Sequence, residues 1–392
     1  MRTELEPLGR SYDVVVANPP YMGSSNMDKW LAAWVKSKYK EVCRDLCTCF
    51  IKRGMSLAKE RGYEALITSD TCMYLSSFEQ MRKTLIERTT IIAFIDTRGS
   101  NAHPDVFDAN AGWVLWNAHS QSERGAYFKL NHPIAEKSER LLEALADPAC
   151  GWFYRRDADT FRQIPGAPIA YQIDAGALCA LSSTERINVF CRIAAGITTG
   201  NNELFVRNWW EISRCNCDLE CESLDAVRTK TTWYPCDKGG QFRRWYGNRE
   251  EVVNFSIVGQ KKMREQPGYR PVNLDYQFLK CCSWSDITSD RVSFRLNGGK
   301  ALVVRASSCA YSTTGGLSLL AAFFNSTVSS YLLSVLNPTL NCSAGVVSSL
   351  PSIPIGEESE KAGRMSSLTV ALSKADYDSF ETSWEFKHHP LI

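Results

Sequence analysis

Residues 11–21 read SYDVVVANPPY, and this stretch restricts the fold more than any other. Val14, Val15 and Val16 follow Asp13, and a short β-branched run bounded by polar residues predicts a buried strand. The strand has to stop at Pro19 and Pro20, because each proline fixes its φ and removes a backbone donor. Asn18, just before them, is pushed toward extended backbone. The loop Asn18-Pro19-Pro20-Tyr21 is therefore stiff, and it presents a carboxamide, free carbonyls and an aromatic ring at the carboxyl end of a strand. In open α/β sheets ligands bind along that edge.

The following segments alternate in character. Residues 41–61 pattern as a helix, GYEALITSD as a strand, 77–88 as a helix and TIIAFIDT as a strand, and βαβα order predicts an α/β sheet. Residues 111–116 and 126–130 predict two more strands, close enough in sequence to end the sheet in an antiparallel hairpin. A helix over 134–145 and a looped connector containing QIPGAPIAYQI come next. From 187 to about 354 short strand-like runs alternate with turns and a few helices, notably 317–336, which predicts a second domain of mixed α and β character. The expected division is an α/β unit over 1–130, a connector over 131–186, a mixed α and β domain over 187–355 and a polar tail over 356–392.

Composition excludes some classes. No apolar run approaches the roughly 20 residues of a membrane helix, and the N-terminus MRTELEPLGR is polar, so a cytoplasmic protein with no membrane partner is expected. The 15 cysteines are odd in number and scattered, which suits reduced thiols. Cys215, Cys217, Cys221 and Cys236 lack a paired C-x2-C knuckle, and no histidine lies near them. Cys43, Cys47 and Cys49 fall on a predicted helix, so no metal is assigned to either group. The net charge is only +2, but between Ala226 and Arg270 ten Lys and Arg stand against four acids, with seven aromatics interleaved. Cations for phosphates and rings for stacking suit a nucleic-acid surface. A solvated basic face over an aromatic core has the same composition.

SYDVVVANPPY resembles motif IV of the N6-adenine DNA methyltransferases. GYEALITSDTCMYLSSFEQMRKTL, IPGAPIAY, AGITTGNNELFVR, KGGQFRRWYGN, WSDITSDRVSFR, LNPTLN and DYDSFETSWEFKHHPL are similar, in that order, to segments of the methyltransferases of BREX phage-defence systems, called PglX, and of type IIG restriction–modification enzymes. The resemblance implies the second half of a Rossmann-like class I methyltransferase sheet followed by a target-recognition domain. It also implies double-stranded DNA as substrate, S-adenosylmethionine as cofactor and other BREX proteins as partners; nothing resembling a PD-(D/E)xK nuclease constellation stands out in the residues, so methylation without cleavage is expected. Asn18, Pro19, Pro20 and Tyr21 would hold a flipped adenine. Lys238, Arg243, Arg244, Trp245 and Tyr246 would contact DNA. Backbone amides in the turn Thr199, Gly200 and Asn201 would approach a phosphate.

In this family the donor site depends on a Gly-rich loop after an earlier strand, and ten residues precede Ser11. The pairs Gly239-Gly240, Gly298-Gly299 and Gly315-Gly316 all lie far downstream. The expectation is an internal piece of a longer PglX-like protein, inactive without its missing N-terminal methyltransferase half. The alternatives are a DNA-binding specificity module acting in trans with a separate polypeptide, and an unrelated Rossmann-like enzyme with a chance NPPY.

Overall fold

The valine run forms β1 (Tyr12–Ala17). The computed structural model describes residues 9–97, 110–183, 185–288, 291–314, 316–339, 341–353 and 355–389. Here β1 joins β2 (Ala58–Ser69), β3 (Thr90–Asp96), β4 (Asn110–Trp116), β5 (Gly125–Lys129) and β6 (Phe153–Arg156) in one sheet, ordered β1-β2-β4-β3-β5-β6. β1 runs parallel to β2, with Val15 opposite Glu64 and Ala17 opposite Leu66. β4 lies antiparallel between β2 and β3, and β5 runs parallel to β3. The carboxyl ends of β1, β2, β3 and β5 thus share one edge.

Three expectations about β1, the hairpin and the first helix need correction. The strand expected to be buried is an edge strand among the described residues, and Val16 is 74% exposed. Its β-branched residues set its conformation, and its Val14 and Val16 side chains stay exposed among the described residues. Strands β4 and β5 do not form a hairpin with each other. β4 takes β3 and β2 as partners, which buries Ala111, Trp113 and Leu115 in the sheet centre. The helix expected over 41–61 is α2 (Leu46–Leu57), preceded by a separate α1 (Lys29–Lys38). The Asn117 carboxamide donates to the carbonyls of Met55 and Ala58, at 3.3 and 3.0 Å. That ends α2, and Ala58 then pairs with Tyr12 as the start of β2.

Helices α2 and α3 (Glu79–Arg88) supply residues to the core on one sheet face, around Leu66, Phe94, Trp113 and Leu115. Phe94 meets Trp113 edge to face at 4.7 Å, a favourable quadrupole geometry. On the other face α4 (Ile134–Ala146) packs Ala144 and Leu141 with Ala126 and Phe128. Val14, Val16, Tyr63 and Ile67, toward the β1 end, stay exposed. The segment expected as a connector is packed: Phe161, Ala167, Ile169 and Tyr171 are buried, and α5 (Ala175–Ser182) follows. Arg82 fastens it. Its buried guanidinium donates to the carbonyls of Cys72 (2.8 Å), Leu75 (2.9 Å), Gly166 (2.6 Å) and Ala167 (3.0 Å). Burial lowers its pKa only to about 10, so it remains a cation at neutral pH.

The chain divides into two compact units, Met1–Ser182 and Ser183–Ile392. The second holds β7 (Cys191–Ala195), β8 (Val206–Asn208), β9 (Trp233–Asp237), β10 (Glu251–Asn254), β11 (Cys281–Ser285), β12 (Phe294–Asn297), β13 (Leu302–Val303) and β14 (Ser307–Ser312). They form two sheets, β13-β9-β10-β8 and β12-β11-β14-β7. Among its helices are α6 (Ile257–Arg264), α7 (Leu317–Phe324), α8 (Thr327–Leu336) and α9 (Ala344–Ser348). The helix expected over 317–336 is therefore two, meeting at 66°. Ser326 caps α8 through Ser329 N at 3.0 Å, while the Asn325 carboxamide bonds both N and O of Phe294. Among the described residues no single helix is long and apolar enough to cross a membrane. The polar tail forms α10 (Glu357–Tyr377), which packs on α7, with Ser367 Oγ donating to Ser318 Oγ at 2.8 Å.

Candidate functional site

The loop after β1 is held by one carboxylate. Asp45 Oδ1 accepts from Met22 N at 3.3 Å and from Cys47 N at 3.0 Å, so the residue that caps α2 also fixes the exit of the NPPY loop. Leu46 N to Met22 O (3.0 Å) and Ser24 N to Arg44 O (2.8 Å) complete the clamp. Within it Pro19 is buried while Asn18 and Pro20 are exposed. The Asn18 carboxamide makes no hydrogen bond to another described residue. Tyr21 is 38% exposed, and its phenol pKa is raised by burial and then by Cys47, Asp45 and Cys72. The ring is thus partly exposed, and its phenol stays neutral at neutral pH. The carboxyl end of β2 is polar: Ser69 Oγ and Thr71 Oγ1 are 3.0 Å apart, and Asp70 is buried. At the end of β3, buried Asp96 accepts from Tyr171 OH at 2.6 Å. Sequence reasoning missed Asp45 as part of this site, although an Asp directly before a helical run is a cap signal.

The expected DNA contacts of the second unit are placed unequally. Lys238 Nζ is paired with Glu251 at 2.7 Å. Arg243 lies with its guanidinium 5.0 Å from the Tyr377 ring centroid, and Arg244 lies 5.6 Å from that of Phe242. Neither arginine makes an ion pair among the described residues. Trp245 has φ 75°, unusual for a bulky side chain, and is locked there by Trp245 N to Phe294 O and Leu296 N to Trp245 O, both 2.8 Å. Tyr246 is buried against Tyr377, whose OH accepts from Arg249 N at 3.1 Å. The segment KGGQFRRWYGN therefore packs against the C-terminal helix, with the Arg side chains at its rim.

Thr199 is buried, and its hydroxyl accepts from Asn201 N at 3.2 Å. Gly200 has φ 81°, and a Cβ there would stand 2.6 Å from Gln266 Cβ. Gly200 and Asn201 are exposed, and the amide of Asn201 is used within the turn. Among the described residues no hydrogen bond or ion pair joins it to Lys238–Tyr246.

The four cysteines weighed for a metal are free thiols: Cys215 is exposed, and Cys217, Cys221 and Cys236 are buried. Among the described residues no group of three or more His, Cys, Asp or Glu is placed to hold a metal ion.

Residues 6–103 match the Eco57I restriction-modification methylase family. The adenine-specific methyltransferase PglX of Lacticaseibacillus casei (strain Zhang) is 32% identical over 98% of this chain and 33% of its own length. The adenine-specific methyltransferase BrxX of Escherichia coli O9:H4 (strain HS) is 30% identical over 98% of this chain and 31% of its own length. The chain spans about a third of the length of these curated relatives. In fold, the Type IIL restriction-modification enzyme MmeI, solved in complex with DNA, superposes with a TM-score of 0.58 at 10% identity, covering 95% of this chain and 50% of that one. A nuclease-deletion mutant of the Type ISP enzyme LlaGI, in complex with a DNA substrate mimic, gives 0.53 at 12% identity, covering 92% and 41%. The chain is thus a homologue, over nearly all its residues, of about a third of the adenine-specific methyltransferases PglX and BrxX.

Proposed function

We propose that this chain carries the base-holding loop and the target-reading unit of a site-specific DNA N6-adenine methyltransferase that marks DNA in BREX-type phage defence. The observation that carries this reading is the exposed Asn18 carboxamide, fixed on a double-proline loop at the carboxyl end of a parallel strand. A duplex hides the adenine amino group, so the base has to be flipped out of the stack. The Asn18 carboxamide oxygen and the Pro19 carbonyl accept the two N6 hydrogens, which concentrates lone-pair character on the nitrogen. Tyr21 stacks on the base. Alignment is then the main catalytic requirement, and a rigid loop supplies it. S-adenosylmethionine supplies the methyl group. The residues gathered at this edge fit the base, and no donor contact is assigned to them.

The unpaired outer edge of β1 among the described residues, together with exposed Val14, Val16, Tyr63 and Ile67, supports pairing with the rest of a methyltransferase sheet. Without that remainder the chain is inactive as a methyltransferase; the alternative is a DNA-binding specificity module that acts in trans with a separate N-terminal polypeptide. DNA as substrate implies work in the cytoplasm. The test is methyl incorporation into DNA by the complete protein carrying Asn18→Ala. Methylation should be abolished with duplex binding nearly intact, since phosphate contacts dominate affinity. Equal losses in binding and catalysis would make Asn18 a structural residue and refute the assignment.

A further inference from the structure

In the second unit the loop before Trp245 and the strand end after Ser285 meet around a groove of 460 Å³ lined by Gln241, Phe242, Ile287, Thr288, Arg291 and Ser293. Two apolar side chains stand at its mouth on the surface: Phe242 is 51% exposed and Ile287 70%. Exposed large apolar side chains are ordinary singly, but two at one groove mark a contact surface. Neither sits on a loose loop. Ser285 Oγ donates to Gly240 O at 3.0 Å, Asn248 Nδ2 to Gln241 O at 2.8 Å and Arg243 N to Ser293 Oγ at 3.1 Å. Ile287 is bridged to Asn341, and Cys342 N donates to Asp286 O at 2.7 Å.

The occupant is indicated by charge. Arg244 lies over the Phe242 ring, and its buried Nε has no hydrogen-bond partner. Arg291 lines the groove. Arg244 belongs to the segment 226–270, which carries ten cations against four acids, and Arg291 adds a cation from outside it. Apolar tips flanked by arginines match duplex DNA, where an apolar wedge unstacks a base step and cations hold the adjoining phosphates.

We propose that Phe242 and Ile287 are wedge residues that press into a groove of bound duplex DNA, so that this unit reads sequence partly through the deformability of the steps beside them. This rests on the DNA-reading role proposed above. A wedge adds a preference for easily unstacked steps without touching base edges.

The experiment measures binding of the full chain, by anisotropy at several salt concentrations, to a pool of random-sequence duplexes, and sequences the bound fraction. Wild type should enrich a motif. Phe242→Ala and Ile287→Ala should each lower the enrichment of their adjoining steps by about tenfold, the scale of one mismatched base pair. Phe242→Leu, which keeps a wedge, should restore most of it. Affinity for the unselected pool and its salt slope should stay nearly unchanged, because the phosphate contacts remain. An unchanged motif in both alanine variants, with salt-dependent binding intact, overturns the wedge and leaves the DNA-reading role standing. The wedge is equally overturned if these variants instead lose association with another protein. If wild type binds no duplex at any salt concentration, the DNA-reading role itself fails and the wedge falls with it.

Discussion

Glu64 offers a test of the packing that supports the site. It sits on β2 directly opposite Val15 of β1, and is fully buried. Neither carboxyl oxygen has a hydrogen-bond partner. α2 presses on it so closely that a Cβ at Gly54 would stand 1.7 Å from Oε1. Burial pushes its pKa from 4.5 up to about 9, since the ionised form would lose its hydration without compensation. The folded chain therefore keeps a proton on Glu64 that the unfolded chain releases above about pH 4.5. For a carboxyl with a raised folded pKa the sign is a penalty: it is absent below the unfolded value, grows as pH rises, and is complete above about 9.

Each unit of separation is worth 1.36 kcal/mol, so the gap between 4.5 and about 9 sets a ceiling of about 6 kcal/mol, and about 3 at pH 7. Glu64→Gln keeps the size of the side chain and removes the titration. The assay is urea unfolding of both proteins at pH 5, 7 and 8.5. Their difference cancels the contribution of every other titrating group. At pH 5 the two should agree within about 1 kcal/mol, and by pH 8.5 the glutamine variant should be more stable by several kcal/mol. A difference that stays constant across this range would refute the argument, because Glu64 would then be ionised or solvated in the fold.

The remaining predictions concern the site. Tyr21→Ala should weaken transition-state stabilisation by about 1–3 kcal/mol, the range for base stacking on an aromatic, and Tyr21→Phe should be nearly silent; equal losses in kcat/KM would assign the role to the hydroxyl. Asp45→Ala removes the cap of α2 and the tie to Met22 together, so it should cost about 1–2 kcal/mol in unfolding and lower kcat, while Asp45→Asn, which still accepts, should recover most of both. If Arg243 and Arg244 touch phosphates, replacing either should flatten the plot of log affinity against log salt by about one unit for all sequences alike. If one reads a guanine edge, the loss should be about 1–3 kcal/mol at the cognate site only. An unchanged slope and affinity in the double variant would make both a solvated face.

The first strand and its loop were legible because their signals are local: a β-branched run sets extended backbone and two prolines end it, whatever surrounds them. Partner choice was not, because it is decided at long range. Strands β4 and β5 are neighbours in sequence, yet β4 buries Trp113 and Leu115 only by entering between β2 and β3. The same holds for AKERG, whose charged residues suit a helix until the Asn117 carboxamide, far along the chain, takes up the carbonyls at its start.

Composition made residues 226–270 look like one basic and aromatic surface. Folding sorts that surface, because Tyr246 gains more from burial against Tyr377 than from exposure, and the cations follow according to reach. Lys238 is drawn to Glu251, and the longer Arg243 and Arg244 lie over rings and keep their charge unpaired. A flat guanidinium can stack on an aromatic face and still present donors at its edge. Arg243 and Arg244, unlike Lys238, therefore have no ion pair among the described residues that an incoming anion would first have to break. Phe242 is left outside because Arg244 covers one side of its ring while the Gly240 turn holds its backbone away from the core. Its exposure is thus imposed by a rigid loop, which is the condition an apolar side chain must meet to act on a partner instead of collapsing inward.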